Sequence, residues 1–171
     1  MRRFVKPLLI GLGILALLAL VTCCPLGQRV ALRTREGELL YQARLPGDEL
    51  VWLLYTHSFN KGLVEDGYGP TAQGKVMLKC TRIRQYGAGI PEPEAGQTFS
   101  VHDGYYEISG FDLVMDRQWT YVGRIADHRL RIGEDGPLVH YDQLAPPGTM
   151  VSLSFEPWTL YKELRWRCRI E

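Results

Sequence analysis

From Pro7 to Gln28 the chain carries no charged side chain, and the centre of that stretch, Leu8 to Val21, is almost wholly Leu, Ile, Ala, Gly and Val. About 20 such residues, rising about 1.5 Å each in a helix, match the hydrocarbon core of a bilayer. Beyond Gln28 the pattern changes. Short apolar or alternating runs recur between turn residues, and no helix-period stretch of any length follows. Arg29–Arg35 and Leu39–Leu45 flank Glu36-Gly37-Glu38 as a hairpin, and Pro46-Gly47-Asp48 turns the chain into Glu49–His57. Further strands are predicted at Lys75–Tyr86, Thr98–His102, Tyr105–Ser109, Phe111–Met115, Trp119–Ile125, Arg129–Ile132, Thr149–Glu156 and Leu164–Ile170. Breaks fall at Asp103-Gly104, Ser109-Gly110, Glu134-Asp135-Gly136 and Pro146-Pro147-Gly148. About ten short strands at this spacing predict an all-β domain, a single β-sandwich or a partly closed β-barrel, preceded by one N-terminal transmembrane helix.

The phase of the patterns says more. In the strand that ends at His57, Leu50, Trp52 and Leu54 alternate with Val51, Leu53 and Tyr55, so both faces are apolar and the strand is expected to be central. Its polar ending, Thr56-His57-Ser58, emerges beside loops, where binding groups commonly sit on a rigid scaffold. Cys80 is in phase with Val76 and Leu78, and Cys168 with Trp166 and Ile170. Both sulfurs are thereby aimed at a core, and in an oxidising compartment they form a candidate disulfide, with two buried free thiols as the alternative. Arg165, Arg167 and Arg169 alternate with that apolar set and form the opposite face of a last strand, a solvated face or one docked to an acidic partner or to lipid headgroups.

Length and charge set the organisation. The 171 residues fit one domain behind the apolar segment: residues 1–28 as a membrane anchor or signal segment, and residues 29–171 as an extracytoplasmic β domain. Arg2, Arg3 and Lys6 ahead of the apolar run hold the N-terminus in the cytoplasm. The expected location is the cell membrane, single-pass, with the main domain periplasmic. Cys23 follows Leu20-Val21-Thr22 and is a candidate lipidation site, although Thr stands where Gly, Ala or Ser is usual before such a cysteine. No Ala-x-Ala cleavage site follows the run, so a retained anchor is preferred over a lipidated or a cleaved N-terminus. Three of the 20 basic residues and none of the 19 acidic ones lie in residues 1–28, which leaves the rest with about −2. That balance excludes nucleic acid as a partner, because neutralising phosphates takes a concentrated basic surface.

The run Tyr55-Thr56-His57-Ser58-Phe59-Asn60-Lys61-Gly62-Leu63-Val64-Glu65-Asp66, followed by Tyr86-Gly87-Ala88-Gly89-Ile90-Pro91, resembles the bacterial and archaeal domain of unknown function 1850. That family shows Tyr-Thr-His-Ser, then a Lys, a Val-Glu-acidic triplet and later Gly-Ala-Gly-Leu-Pro. The resemblance continues weakly through Asp127-His128-Arg129-Leu130 to Pro147-Gly148. It implies a small, membrane-anchored extracytoplasmic protein often encoded beside components of tripartite ATP-independent periplasmic (TRAP) transporters, with no established activity. The chain departs from the family at Phe59-Asn60, where Val-Glu is frequent, at Leu63, where Pro is frequent, and at Gln85, where Ser is common.

Read directly, the residues favour binding over catalysis. His57 and Ser58 are neighbours on a strand and point to opposite faces, and there is no Gly-x-Ser-x-Gly elbow, so no nucleophile and base pair is indicated. His102, His128 and His140 have no partner at ligand spacing and there is no Cys-x-x-Cys, so neither a metal nor a cofactor is expected. Lys61, Glu65 and Asp66 are read as a polar loop forming a surface ion pair. The sharper reading brings Tyr55, Thr56, His57, Ser58, Lys61 and Glu65 together with Gly87, Ala88 and Gly89, whose backbone N–H groups hold a carboxylate. In the plainer one Gly87 and Gly89 only permit positive φ before Pro91. Trp158, Tyr161 and Trp166 are either core residues or an exposed aromatic patch. The expected function is a non-catalytic, membrane-anchored accessory or binding module beside TRAP transporter membrane subunits. The alternatives are a stand-alone binder of a small organic acid and, behind it, a metal-assisted hydrolase.

Overall fold

In the computed structural model the described residues are 2–85, 87 and 92–170, with the side chains of 2–10, 18, 23, 166, 167, 169 and 170 outside the description. The chain divides into two compact units, Arg29–Glu156 and a second made of Met1–Gln28 with Pro157–Glu171.

The first unit is all-β, built from two sheets. Strands β1 (Gly27–Thr34), β2 (Leu39–Leu45), β9 (Gln118–Tyr121) and β12 (Met150–Trp158) form the smaller sheet in the order β2-β1-β12-β9. The larger sheet contains β3 (Val51–Thr56), β4 (Leu63–Pro70), β5 (Val76–Ile83), β6 (Thr98–His102), β7 (Tyr105–Ser109), β8 (Val114–Met115), β10 (Arg129–Ile132) and β11 (Val139–His140). Its order is β11-β10-β3-β4-β5-β7-β6, with β8 paired to β5. The first unit is therefore two packed sheets in a sandwich-like arrangement, with no closed barrel. A core of Val30, Leu32, Leu45, Val151, Leu153 and Phe155 from the smaller sheet packs on Val51, Leu53, Tyr68, Val76, Leu78 and Leu130 from the larger. Burying side chains of this kind contributes about 1.5–3 kcal/mol each. The short helix α2 (Tyr141–Leu144) adds the buried Tyr141 to that core.

As expected, β3 is central and apolar on both faces: Val51 and Leu53 enter the sandwich core, while Trp52 and Leu54 form a second buried cluster with Cys80 on the opposite face. Three expectations need correction. The stretch read as a polar loop with Glu65 and Asp66 is a strand, β4, because each carboxylate finds partners on its own face of the sheet, as described below. Cys80 does not share a face with Val76 and Leu78. The β4–β5 register jumps from Gly67↔Cys80 to Tyr68↔Leu78, leaving Lys79 as an extra residue, and such a bulge turns everything beyond it to the other face. Finally, Leu164–Ile170 belongs to a helix, α3 (Leu160–Ile170), and not to a strand. Thr159 caps it, its Oγ1 accepting the N–H of Lys162 at 3.2 Å, and Leu, Lys, Glu and Arg are good helix formers.

In the second unit α1 (Arg2–Cys23) accompanies α3, and the Leu26 N–H donates to the Trp158 carbonyl at 2.9 Å. Leu12, Ile14, Leu15, Leu17, Leu20 and Val21 of α1 are exposed. Among the described residues no helix is long and apolar enough to cross a membrane, so the expectation of a spanning segment rests on the sequence of residues 7–28.

Candidate functional site

The β3–β4 hairpin holds most of the residues singled out in the sequence. Thr56 pairs with Leu63, and residues 57–62 close the end of the hairpin as a tight turn. The His57 N–H donates to the Gly62 carbonyl at 2.8 Å and the Lys61 N–H to the His57 carbonyl at 3.1 Å. Lys61 takes φ +60° and its Nζ donates to the Ser58 carbonyl at 2.6 Å. Asn60 is the clamp. Its Oδ1 accepts the Gly62 N–H at 2.9 Å while its Nδ2 donates to the Gln85 carbonyl at 2.8 Å. A Cβ on Gly62 would stand 2.8 Å from the Gln85 Cβ, so only glycine fits beneath that contact. The Asn60 departure thus has a structural use, since a glutamate could not donate to the Gln85 carbonyl.

Alternation then separates the two acidic residues of β4. Asp66 faces the interior of the sandwich, where Thr81 Oγ1 donates to it at 2.8 Å and the hydroxyls of Tyr55 and Tyr68 also donate to it. Burial pushes its carboxyl up despite these three donors, and burial together with the Asp66 charge pushes the Tyr55 and Tyr68 hydroxyls well above their ordinary value. The His128 ring lies 5.8 Å from that of Tyr55, and burial lowers its pKa. Tyr55 is therefore a core residue, and it does not share a face with Glu65.

Glu65 faces outward from the large sheet and is 4% exposed. One cross-strand row runs Arg129, Leu54, Glu65, Arg82, Glu107 and Ser100, and beside it another runs Arg131, Trp52, Gly67, Cys80 and Ser109. Trp52 is the floor. Arg82 lies over its ring, 4.0 Å from the centroid, while bonding Glu107 through Nε at 2.9 Å and Glu134 through Nη1 at 2.9 Å. Arg131 Nη2 approaches Glu65 at 3.4 Å and Glu134 at 3.6 Å, and the half-exposed Arg84 stands 3.9 Å from the other Glu65 oxygen. A Cβ on Gly67 would meet the Trp52 ring at 2.9 Å and Cys80 Sγ at 3.0 Å, so the glycine admits the indole. Burial pushes the Cys80 thiol up to about 11, an inert buried sulfur.

The structure thus brings His57, Ser58 and Lys61 into one turn and leaves Glu65 to a different constellation. No described hydrogen bond or ion pair joins Glu65 to that turn. Thr56 donates its N–H to the Ala126 carbonyl, Gly87 is exposed, and Ala88 and Gly89 lie outside the described residues. Cys80 and Cys168 are both free thiols, and Cys168 is exposed on α3, so the phase argument that aimed it at a core falls with the strand. Cys23 lies in α1 with its side chain outside the description. Among the described residues no three His, Cys, Asp or Glu side chains gather as a metal site. Sequence reading named Glu65 and missed Arg82, Arg84, Arg131, Glu107 and Glu134. The available signal was arginine at alternate positions, 82 with 84 and 129 with 131, in strands predicted to be half-buried.

A family model described as Domain of unknown function (DUF1850) matches residues 51–137. The chain belongs to this family. No curated protein and no solved structure matches it. In this DUF1850 protein the matched residues begin at the first residue of β3 and contain every member of the Glu65 constellation.

Proposed function

We propose that this DUF1850 protein is a membrane-anchored extracytoplasmic accessory module that binds a partner and performs no chemistry of its own, beside the membrane subunits of a TRAP-type solute transporter as the family resemblance implies. One observation carries the binding reading. Glu65 is a buried carboxylate on the outward face of a rigid sheet whose nearest guanidinium atoms stand at 3.4 and 3.9 Å. Those distances are long for charge-assisted hydrogen bonds, which run about 2.7–2.9 Å. Acceptor capacity is therefore left for an incoming donor, and Arg84 carries free donors beside it. The anchor reading is supported by the sequence of residues 7–28, an uncharged stretch about as long as a bilayer core requires, and by the exposure of Leu12, Leu15, Leu17 and Leu20.

Mild-detergent purification of the tagged full-length chain, with mass spectrometry of what accompanies it, tests the reading. Recovery of transporter membrane subunits, lost in Glu65→Gln and retained in Lys61→Ala, is the expected result. Equal recovery in Glu65→Gln would remove Glu65 from the interface, and recovery of the chain alone would overturn the accessory role. The half-exposed Arg84 favours one second reading, a small organic acid held by its free donors. Stabilisation by succinate or citrate that disappears in Arg84→Ala would support that reading over a protein partner.

A further inference from the structure

The segment 116–127 contains β9, the edge strand of the smaller sheet, leads on to β10, and carries features that the Glu65 face does not use. β9 is the last strand of its sheet, and alternation places Trp119 and Tyr121 on one face of it. Trp119 is 42% exposed, Tyr121 58%, and Ile125, at the bend that follows, 78%. Soluble surfaces seldom spend two aromatics and an isoleucine within seven residues on water. The charges around them are sorted. Asp116 is paired with Lys75 at 3.1 Å, and Asp127 with Arg129 at 3.3 Å. Arg117 and Arg124, both exposed, have no described ion pair. A domain of net negative charge thus presents two uncompensated arginines bracketing Trp119 and Tyr121, with Ile125 next to the second.

We infer that this edge docks on the surface of an anionic phospholipid bilayer. Trp and Tyr settle at the level of lipid headgroups because their rings are apolar and their N–H or O–H is not. Arginines beside them pair with phosphates, and an isolated isoleucine at a bend can enter the acyl boundary. Protein hot spots cluster near the centre of a broad, well-packed patch, whereas these side chains are strung along a sheet edge. Docking would give the β domain a second contact with the membrane that holds its anchor, and would limit how the Glu65 face is presented. The inference deepens the anchored reading above, and the two can fail separately.

The test uses the full-length chain reconstituted in vesicles of brominated phosphatidylcholine with or without phosphatidylglycerol. Resistance of the protein to carbonate extraction reports the anchor alone. Bromine quenching of tryptophan fluorescence, taken as the difference between the natural chain and Trp119→Phe, reports the edge. The expected result is quenching of Trp119 that is stronger with phosphatidylglycerol. Arg117→Gln and Arg124→Gln should each lower the docked-to-undocked ratio about fivefold. Ile125→Ser should weaken it without touching charge, and near-ultraviolet circular dichroism checks that each variant is folded. Identical quenching in the natural chain and Trp119→Phe overturns the proposal while carbonate resistance stands. So would a Trp119 that stays unquenched in vesicles yet is shielded from iodide by a co-purifying protein, which would assign the edge to a protein partner.

Discussion

Two carboxylates of the β domain each sit between two arginines, one per sheet, and they are held differently. Glu156 on β12 receives Arg33 Nε at 3.0 Å and a closer contact from Arg29, which also donates to Gln42. Burial alone would push its carboxyl up, but the bonds and charges of Arg33 and Arg29 outweigh burial and hold it below the usual carboxylate range. Glu65 on β4 is the more buried of the two, with 5% of its side chain exposed against 21%, yet its arginines stand off. A buried charge that is tightly bonded can be purely structural. Glu65 is held by longer contacts, and that geometry is what the binding reading above rests on. Glu156 lies outside the residues matched by the family model, and Glu65 lies within them.

The comparison breaks most readily at Arg29. Arg29→Ala removes the tightest partner of Glu156 and the donor to Gln42, and losing one member of a buried pair costs about 3–5 kcal/mol. Urea unfolding of the detergent-solubilised chain measures it. Glu156→Gln adds a pH test. Because the folded-state pKa of Glu156 is depressed, its contribution is fully present above its unfolded value near 4.5 and is lost as the pH falls through the folded value. The stability gap between the natural chain and Glu156→Gln should therefore close on acidification. A gap that stayed constant down to the folded-state pKa would mean that the carboxylate charge contributes nothing.

A smaller effect is expected under the Glu65 face. Gly67→Ala forces a methyl group against the Trp52 ring and the Cys80 sulfur, in a central strand where neither neighbour is a flexible chain end. Overpacking of this kind costs about 1–3 kcal/mol. Glu65→Gln itself should cost about 1 kcal/mol or less, since only long contacts are lost and Arg131 keeps Glu134. If Glu65→Gln proved as costly as Arg29→Ala, the distinction between a closed and an open carboxylate would collapse, and Glu65 would be structural.

Much of this was legible in the sequence, and the failures have physical causes. β2, β6, β7 and β10 have the bounds expected of them, because turn residues mark the ends of these short runs. β4 was invisible because Glu65, Asp66, Gly67, Gly69 and Pro70 make a loop-like string, and only its cross-strand partners explain why it is extended. Cys80 was put on the wrong face because a one-residue bulge leaves no mark in the hydrophobic pattern. α3 was read as a strand because Arg165, Arg167 and Arg169 alternate, while its cap, Thr159, carried the contrary signal. For the site, Glu65 stands out in the sequence beside the Tyr-Thr-His-Ser run, but the side chains around it come from β5, β7 and β10. Sequence separation hides such neighbours until the register is known.

The smallest effect should come from the residue next to Glu65, and it should have the opposite sign. Asp66 is turned into the sandwich, where burial raises its pKa against the pull of three hydroxyl donors. A folded-state pKa above the unfolded value of 3.8 means that the native state binds the proton more tightly. Stability then falls as the pH rises from 3.8 through the folded value, and the penalty stays at higher pH. Asp66→Asn removes that penalty and keeps an oxygen to accept from Tyr55, Tyr68 and Thr81. Thermal melts should show the variant level with the natural chain below pH 3.8 and about 1–2 °C more stable at neutral pH. A variant that melts lower at neutral pH would show that the three hydroxyls need the charge, making Asp66 a second closed carboxylate like Glu156 and leaving Glu65 as the open one of the three.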